Sequence, residues 1–237
     1  MIPKTIHYCW FGQTEKPQSV IDCISTWRHM LPDYQIKEWN ENNFDYKSLA
    51  YTFEAYKVKQ YAYVSDVARM YALLTEGGIY LDTDVRVIKT FNPFLSNHSF
   101  ASMESPFSIG TAVIGAEPGL CWMADYLNTY FHKHFIRYNG HLKTIPNTDS
   151  LSHFLDIRYP IDENYLTIYN QEYFSAKIFN TGEYLITENT IAIHDYSGSW
   201  INGKIKDHRV ANLLVLLYSV LVKERHRTDI FSMTVHK

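Results

Sequence analysis

Apolar positions recur along the chain in two periods. Thr5 to Trp10 is a short apolar run of strand type, and after Pro17 the set Val20, Ile21, Ile24 and Trp27 falls at helical spacing, predicting a helix that ends near Pro32. Gln35 to Trp39 reads as a second strand, closed by the turn-forming Asn40, Asn42 and Asn43. From Tyr61 to Glu76 the positions Val64, Val67, Met70, Tyr71 and Leu74 are helical again; Gly77-Gly78 stops that helix, and a strand from Ile79 to Asp82 follows at once. Further strands are expected around Val85 to Ile88, Phe100 to Met103, Thr111 to Gly115, Tyr165 to Tyr169 and Thr190 to His194. Helices are expected near Leu120 to Phe135, Ser150 to Leu155 and, last, from about His208 to Glu224. This alternation, with no internal repeat or long linker, predicts an α/β fold with a mostly parallel central sheet, in one domain spanning 1–237.

Composition narrows the function classes. An apolar content of 46% in 237 residues suits one substantial core. A net charge of -3, a pI near 6.4 and well-mixed charges indicate no nucleic-acid footprint. Cys9, Cys23 and Cys121 are far apart and form no paired metal spacing, which fits a reducing cytoplasm rather than a disulfide framework. The opening MIPKTIHYCWFG does not read as a secretion signal, and Val210 to Val222 is shorter than the ~20 residues of a spanning helix. With 19 tyrosines and 5 tryptophans the chain is rich in side chains that stack on bases or sugars, although most such aromatics fill cores.

The candidate chemistry lies in GGIYLDTDV, Gly77 to Val85. On a continuing strand Asp82 and Asp84 share a face, with Cα atoms roughly 6.6 Å apart, so two repelling carboxylates converge on one spot that calls for a cation. Ligands of open α/β sheets sit outside the carboxyl ends of strands, and oxygen ligands there suit Mg²⁺ or Mn²⁺. An isolated Asp-x-Asp is weak, because aspartate is common in turns after strands. Upstream, Asp66 and Arg69 neighbour each other on one helix face, as an ordinary ion pair or as an acceptor for hydroxyls beside a donor for phosphates.

Three blocks in order, IPKTIHYCWFG, YVSDVARMYALLTEGGIYLDTDV and HDYSGSW, resemble the bacterial members of glycosyltransferase family 32, related to yeast mannosyltransferases and clostridial glucosylating toxins. The resemblance covers roughly Ile2 to Trp200. It implies a GT-A fold, a Rossmann-like nucleotide-sugar-binding domain, with a divalent metal and a UDP-sugar donor. By resemblance Asp84 ligates the metal directly, and Asp82 acts through metal-bound water or through the ribose and sugar. Tyr80 lies under the donor, and the family's Ser-Asp-x-x-Arg falls on Ser65, Asp66 and Arg69, with Asp66 on donor hydroxyls and Arg69 on the sugar or phosphates. Trp10 stacks on uracil. In HDYSGSW either His194 or Asp195 is the further metal ligand, with a narrow preference for Asp195; Ser199 and Trp200 close over the diphosphate. The implied reaction is retaining transfer of a hexose or N-acetylhexosamine to a saccharide or lipid-linked oligosaccharide acceptor in surface polysaccharide synthesis. Glu104, Asn147 and Asp149 are polar positions that could face the sugar, or serve as turn and capping residues.

Two other classes remain in view. A phosphohydrolase of the haloacid dehalogenase type also ends a strand in Asp-x-Asp, but expects threonine or valine where Arg86 stands and places its motif near the N-terminus. A sugar-binding module without catalysis fits less well with both aspartates and Arg69 present. The last helix combines an apolar run with Lys223, Glu224, Arg225, His226 and Arg227 just after that run, a pattern compatible with peripheral contact at the inner membrane face or with packing on the domain.

Overall fold

A computed structural model of the chain describes residues 1–159 and 165–197, so Ser199, Trp200 and the expected C-terminal helix lie outside the described residues. The elements in order are β1 (Thr5–Cys9), α1 (Gln18–Met30), β2 (Gln35–Trp39), α2 (Ala50–Lys57), α3 (Tyr61–Glu76), β3 (Gly78–Leu81) and β4 (Val85–Val87). They continue as β5 (Ser99–Ser105), β6 (Ser108–Ile109), β7 (Val113–Ala116), α4 (Cys121–Asn128), α5 (Asn147–Arg158), β8 (Thr167–Tyr169), α6 (Gln171–Phe174) and β9 (Ala192–His194).

The main sheet has the order β2-β1-β3-β7-β5-β6, with β8 also on β5. Strands β1, β2, β3, β5 and β8 run one way, while β7 and β6 run against them, giving a mixed, mostly parallel α/β sheet. β4 and β9 form a separate antiparallel pair in which Val85 faces His194. This register brings the end of the described chain back to the Asp-x-Asp turn.

Alternation along β3 divides the core between two faces. Ile79 and Leu81 pack with Ile6, Trp27 and Phe100 on the α1 side, while Tyr80 packs with Val64, Val67 and Leu73 on the α3 side. Both faces of this central strand are buried, as its unbroken apolar run requires. No loop separates α3 from β3. Gly77, at φ 64°, takes the left-handed turn, and at Gly78, at φ 107°, an added Cβ would stand 2.6 Å from the Thr5 carbonyl oxygen.

Several expectations are corrected in detail. In α1 the inward side chains are Val20, Cys23, Ile24 and Trp27, while Ile21 is exposed. α2 escapes sequence reading because its buried stripe includes Glu54, whose carboxylate accepts from Ile136 N at 2.9 Å and pairs with His134 Nδ1 at 2.6 Å. α4 stops well short of Phe135. Successive tight turns, Tyr130 N to Leu127 O and Lys133 N to Tyr130 O, redirect the chain so that Phe135 packs against Tyr51 and Tyr63. β3 ends at Leu81, so Asp82 and Asp84 sit in a turn rather than on the strand.

Candidate active site

The turn after β3 is anchored at both ends. Asp82 N donates to Ala112 O at 2.8 Å, prolonging the β3–β7 ladder by one bond, and Val85 N returns to Asp82 O at 3.0 Å. The two carboxylates therefore converge through a turn, not through strand alternation. The β4–β9 register adds a third ligand, of a second type: His194 Nε2 is 3.3 Å from Asp84 Oδ1. Ligand atoms of Asp82, Asp84 and His194 all lie within 4.8 Å of one another.

Asp84 is the most tightly held of the three. Its Oδ2 accepts from both N and Oγ of Ser197, each at 2.8 Å, and its carbonyl accepts from Asp195 N at 2.9 Å. Burial alone would raise its pKa, but the His194 and Ser197 hydrogen bonds hold it well below the usual carboxylate range. His194 shows the reciprocal effect: burial works against the imidazolium, yet Asp84 and the more distant Asp82 and Glu104 raise its pKa. Of the two candidates in HDYSGSW, the geometry brings His194 to the aspartates. The preference for Asp195 is corrected, because its carboxylate turns away to Arg86, with contacts of 2.5 and 2.8 Å. Adjacent residues at a strand end face opposite ways, which is why one is chosen.

Beside this cluster Arg69 is buried and shared. Its Nη1 donates to Thr111 O at 2.6 Å, and its Nη2 reaches Asp66 Oδ1 at 3.0 Å and Asp82 Oδ1 at 3.2 Å. Its guanidinium carbon stands 4.6 Å from the centre of the Tyr80 ring, and the Tyr80 hydroxyl donates to Asp82 Oδ1 at 2.9 Å. One guanidinium thus serves two carboxylates, and unequally. Arg69 is held charged, against its burial, first by Asp82; Asp66 is left under-compensated, and burial pushes its pKa up to about 7. Both Nη atoms are engaged, so Arg69 braces Asp66 and Asp82, and Nε is the guanidinium nitrogen left without a partner at the cavity.

These residues line one cavity of about 650 Å³. Trp10, just beyond β1, is on its wall, with the indole fixed by a 2.8 Å bond from Nε1 to Thr14 O. Ser65 lines it too, its hydroxyl donating to Tyr61 O within α3. Glu104, near the end of β5, faces it, with its pKa raised by burial. Among the described residues, the buried side-chain polar atoms without a hydrogen-bond partner are Arg69 Nε, Asn147 Nδ2, His194 Nδ1 and the Tyr196 hydroxyl, and every one belongs to a residue lining this cavity. Unmet polar groups gathered in one cavity mark a polar ligand site. Sequence reasoning missed Arg86, Tyr196 and Ser197 as site builders. Ser197 lies within HDYSGSW and could have been suspected; Arg86 carries no local signal.

Comparison with known proteins agrees with this geometry. Residues 17–101 match a family model described as the glycosyltransferase sugar-binding region containing the DXD motif, a stretch that includes Asp66, Arg69, Asp82 and Asp84. Inositol phosphoceramide mannosyltransferase 3 of Schizosaccharomyces pombe is 30% identical over 122 residues, 50% of this chain and 34% of that protein. Subversion of eukaryotic traffic protein A of Legionella pneumophila is 29% identical over 136 residues, 46% of this chain and 21% of that protein. The chain thus spans about a third of the first relative's length and about a fifth of the second's. The solved structure of the PaToxG glycosyltransferase superposes with a TM-score of 0.52 at 19% identity, covering 67% of this chain and 70% of that one, a likeness of fold. Residues 17–101 thus resemble the Asp-x-Asp sugar-binding region of glycosyltransferases, and the chain has the GT-A fold of such enzymes.

Proposed function

We propose that the chain is a divalent-metal-dependent, retaining glycosyltransferase that moves a hexose or N-acetylhexosamine from a UDP-sugar to a saccharide acceptor. The observation that carries this reading is the convergence of Asp82, Asp84 and His194 in the cavity that also holds Asp66, Arg69 and Trp10. Two carboxylates and one imidazole fit Mn²⁺ or Mg²⁺, and the unpartnered Nδ1 of His194 leaves its ring free of any competing tether there. When bound, such an ion supplies neutralisation of charge on a departing diphosphate.

The chain's own groups do the remaining tasks. Ser197 and the β4–β9 register hold Asp84 and His194 in place before any donor arrives, which lowers the cost of assembling the site. Arg69 keeps a positive charge beside Asp66 and Asp82, and Asp66 offers an acceptor for donor hydroxyls. Trp10 offers a flat, oriented ring to a base. An acceptor hydroxyl then attacks the anomeric carbon on the face from which UDP departs, the bond from that carbon to the diphosphate breaks, and the hydroxyl proton passes to the departing diphosphate oxygen as UDP leaves. The setting we propose is the cytoplasm at the inner face of the membrane, in surface polysaccharide assembly, with a lipid-linked oligosaccharide as acceptor. Among the described residues no helix is long and apolar enough to cross a membrane.

Thermal-shift screening of nucleotides and nucleotide-sugars with and without Mn²⁺ tests the reading, since a ligand that binds only the folded state raises its melting temperature. Metal-dependent stabilisation by UDP and UDP-sugars is expected. Stabilisation by phosphomonoesters alone would favour the phosphohydrolase instead. Asp84→Ala should lower the transfer rate by ~10²-fold or more. Unchanged vesicle binding after removal of residues 210–237 would dismiss the membrane setting.

A further inference from the structure

The sheet register sets three polar positions side by side along one edge. Ile6 pairs with Ile79, Ile79 with Gly115, and Gly115 with Phe100, so these residues mark one line across β1, β3, β7 and β5. Trp10, Asp82 and Glu104 each lie a few residues beyond that line, in the direction shared by β1, β3 and β5. Glu104 is two strand positions from the Asp-x-Asp turn, roughly 10 Å at ordinary strand spacing, on the side away from Trp10. All three line the same cavity.

Glu104 is not explained by the fold. Among the described residues no hydrogen bond or ion pair engages its carboxylate, and the charges around it are mixed, His194 and Arg69 of opposite sign and Asp82 and Asp149 of like sign. Asn147, at the start of α5 and 8% exposed, lines the same cavity; its Oδ1 accepts from the Tyr126 hydroxyl at 2.6 Å, while its Nδ2 has no acceptor. An acceptor without donors and a donor without an acceptor in one cavity complement sugar hydroxyls, each of which gives and takes a hydrogen bond.

Resting on the proposed donor, we propose that Glu104, together with Asn147 in the same cavity, binds hydroxyls of the transferred sugar and restricts the donor to neutral sugars. With a base at Trp10 and the diphosphate at Asp82, Asp84 and His194, the sugar extends towards β5. A uronate there would bring a second carboxylate towards Glu104 and Asp149, and like charges in a partly dry cavity are costly.

The experiment compares the full chain with Glu104→Gln, Glu104→Ala and Asn147→Ala by calorimetry and thermal shift in MnCl₂. The probes are UDP, UDP-glucose, UDP-galactose, UDP-N-acetylglucosamine and UDP-glucuronate. Expected is an unchanged melting temperature of the ligand-free Glu104→Gln protein, an unchanged response to UDP, and about ten- to a hundredfold weaker binding of the best neutral UDP-sugar. UDP-glucuronate should add nothing over UDP in the native chain and gain on UDP in Glu104→Gln. Native affinity for the neutral UDP-sugar in both Glu104 variants, or preference of the native chain for UDP-glucuronate, overturns the assignment. If UDP itself does not bind, the proposed donor falls first, and this inference with it.

Discussion

His194 Nε2 lies 3.3 Å from Asp84 Oδ1, although 110 residues separate the two in sequence. The relationship follows from one pairing: Val85 opposes His194 across β4 and β9, so the residue before Val85 must neighbour the imidazole. His194→Ala should therefore weaken Mn²⁺ binding directly. Asp195→Asn should act only by loosening the segment that Arg86 holds. The expected order is a loss of about 10- to 100-fold for the histidine and a smaller one for Asp195, read by calorimetric Mn²⁺ titration. The reverse order would return the ligand role to Asp195.

Arg69 joins α3 to the Asp-x-Asp turn and to the residue that leads into β7, through Asp82 and Thr111. Arg69→Met keeps the length but leaves the buried Asp66 and the half-buried Asp82 without their cation, a change of the kind that costs about 3–5 kcal/mol. Urea unfolding near pH 8 should show that loss. At pH 5 it should be smaller, because Asp66, already pushed up to about 7, is neutralised by a proton.

The site was legible where function is local. Asp66 and Arg69 share a helix face by spacing alone, Gly77-Gly78 announces the joint between α3 and β3, and Asp82 and Asp84 are close by chain connectivity whether they lie on a strand or in a turn. What was not legible depends on non-local pairing. The choice between His194 and Asp195 is made by the β4–β9 register and by Arg86, and nothing in either segment specifies the other. α2 was hidden because its buried Glu54 is satisfied by His134 and Ile136, which are remote in sequence. Likewise β7 runs against β3, a direction that apolar runs do not encode.

Asp66 gives the fold a pH dependence with a definite sign. Its pKa in the folded chain is about 7, against an ordinary 3.8, because burial outweighs Arg69. The folded state thus holds a proton that the unfolded chain releases, and the stability this provides is complete below pH 3.8 and lost as pH rises to about 7. Asp66→Asn does not titrate. Melting temperatures of the native chain should fall relative to Asp66→Asn between about pH 4 and pH 7, then run parallel. A constant difference across that window would show that Asp66 is ionised throughout.

Trp10 tests the nucleoside end separately from the metal. Its Nε1 bond to Thr14 O orients the ring, and it lies only partly buried at the cavity wall, so its truncation leaves the core intact. Base stacking on an aromatic side chain contributes about 1–3 kcal/mol. Trp10→Ala should weaken UDP binding by that amount, while Trp10→Phe recovers most of it. Mn²⁺ binding in the absence of nucleotide should be the same in all three proteins, because Asp82, Asp84 and His194 do not depend on the indole. Equal UDP affinity in Trp10→Ala would move the base elsewhere in the cavity, and with it the direction in which the sugar extends.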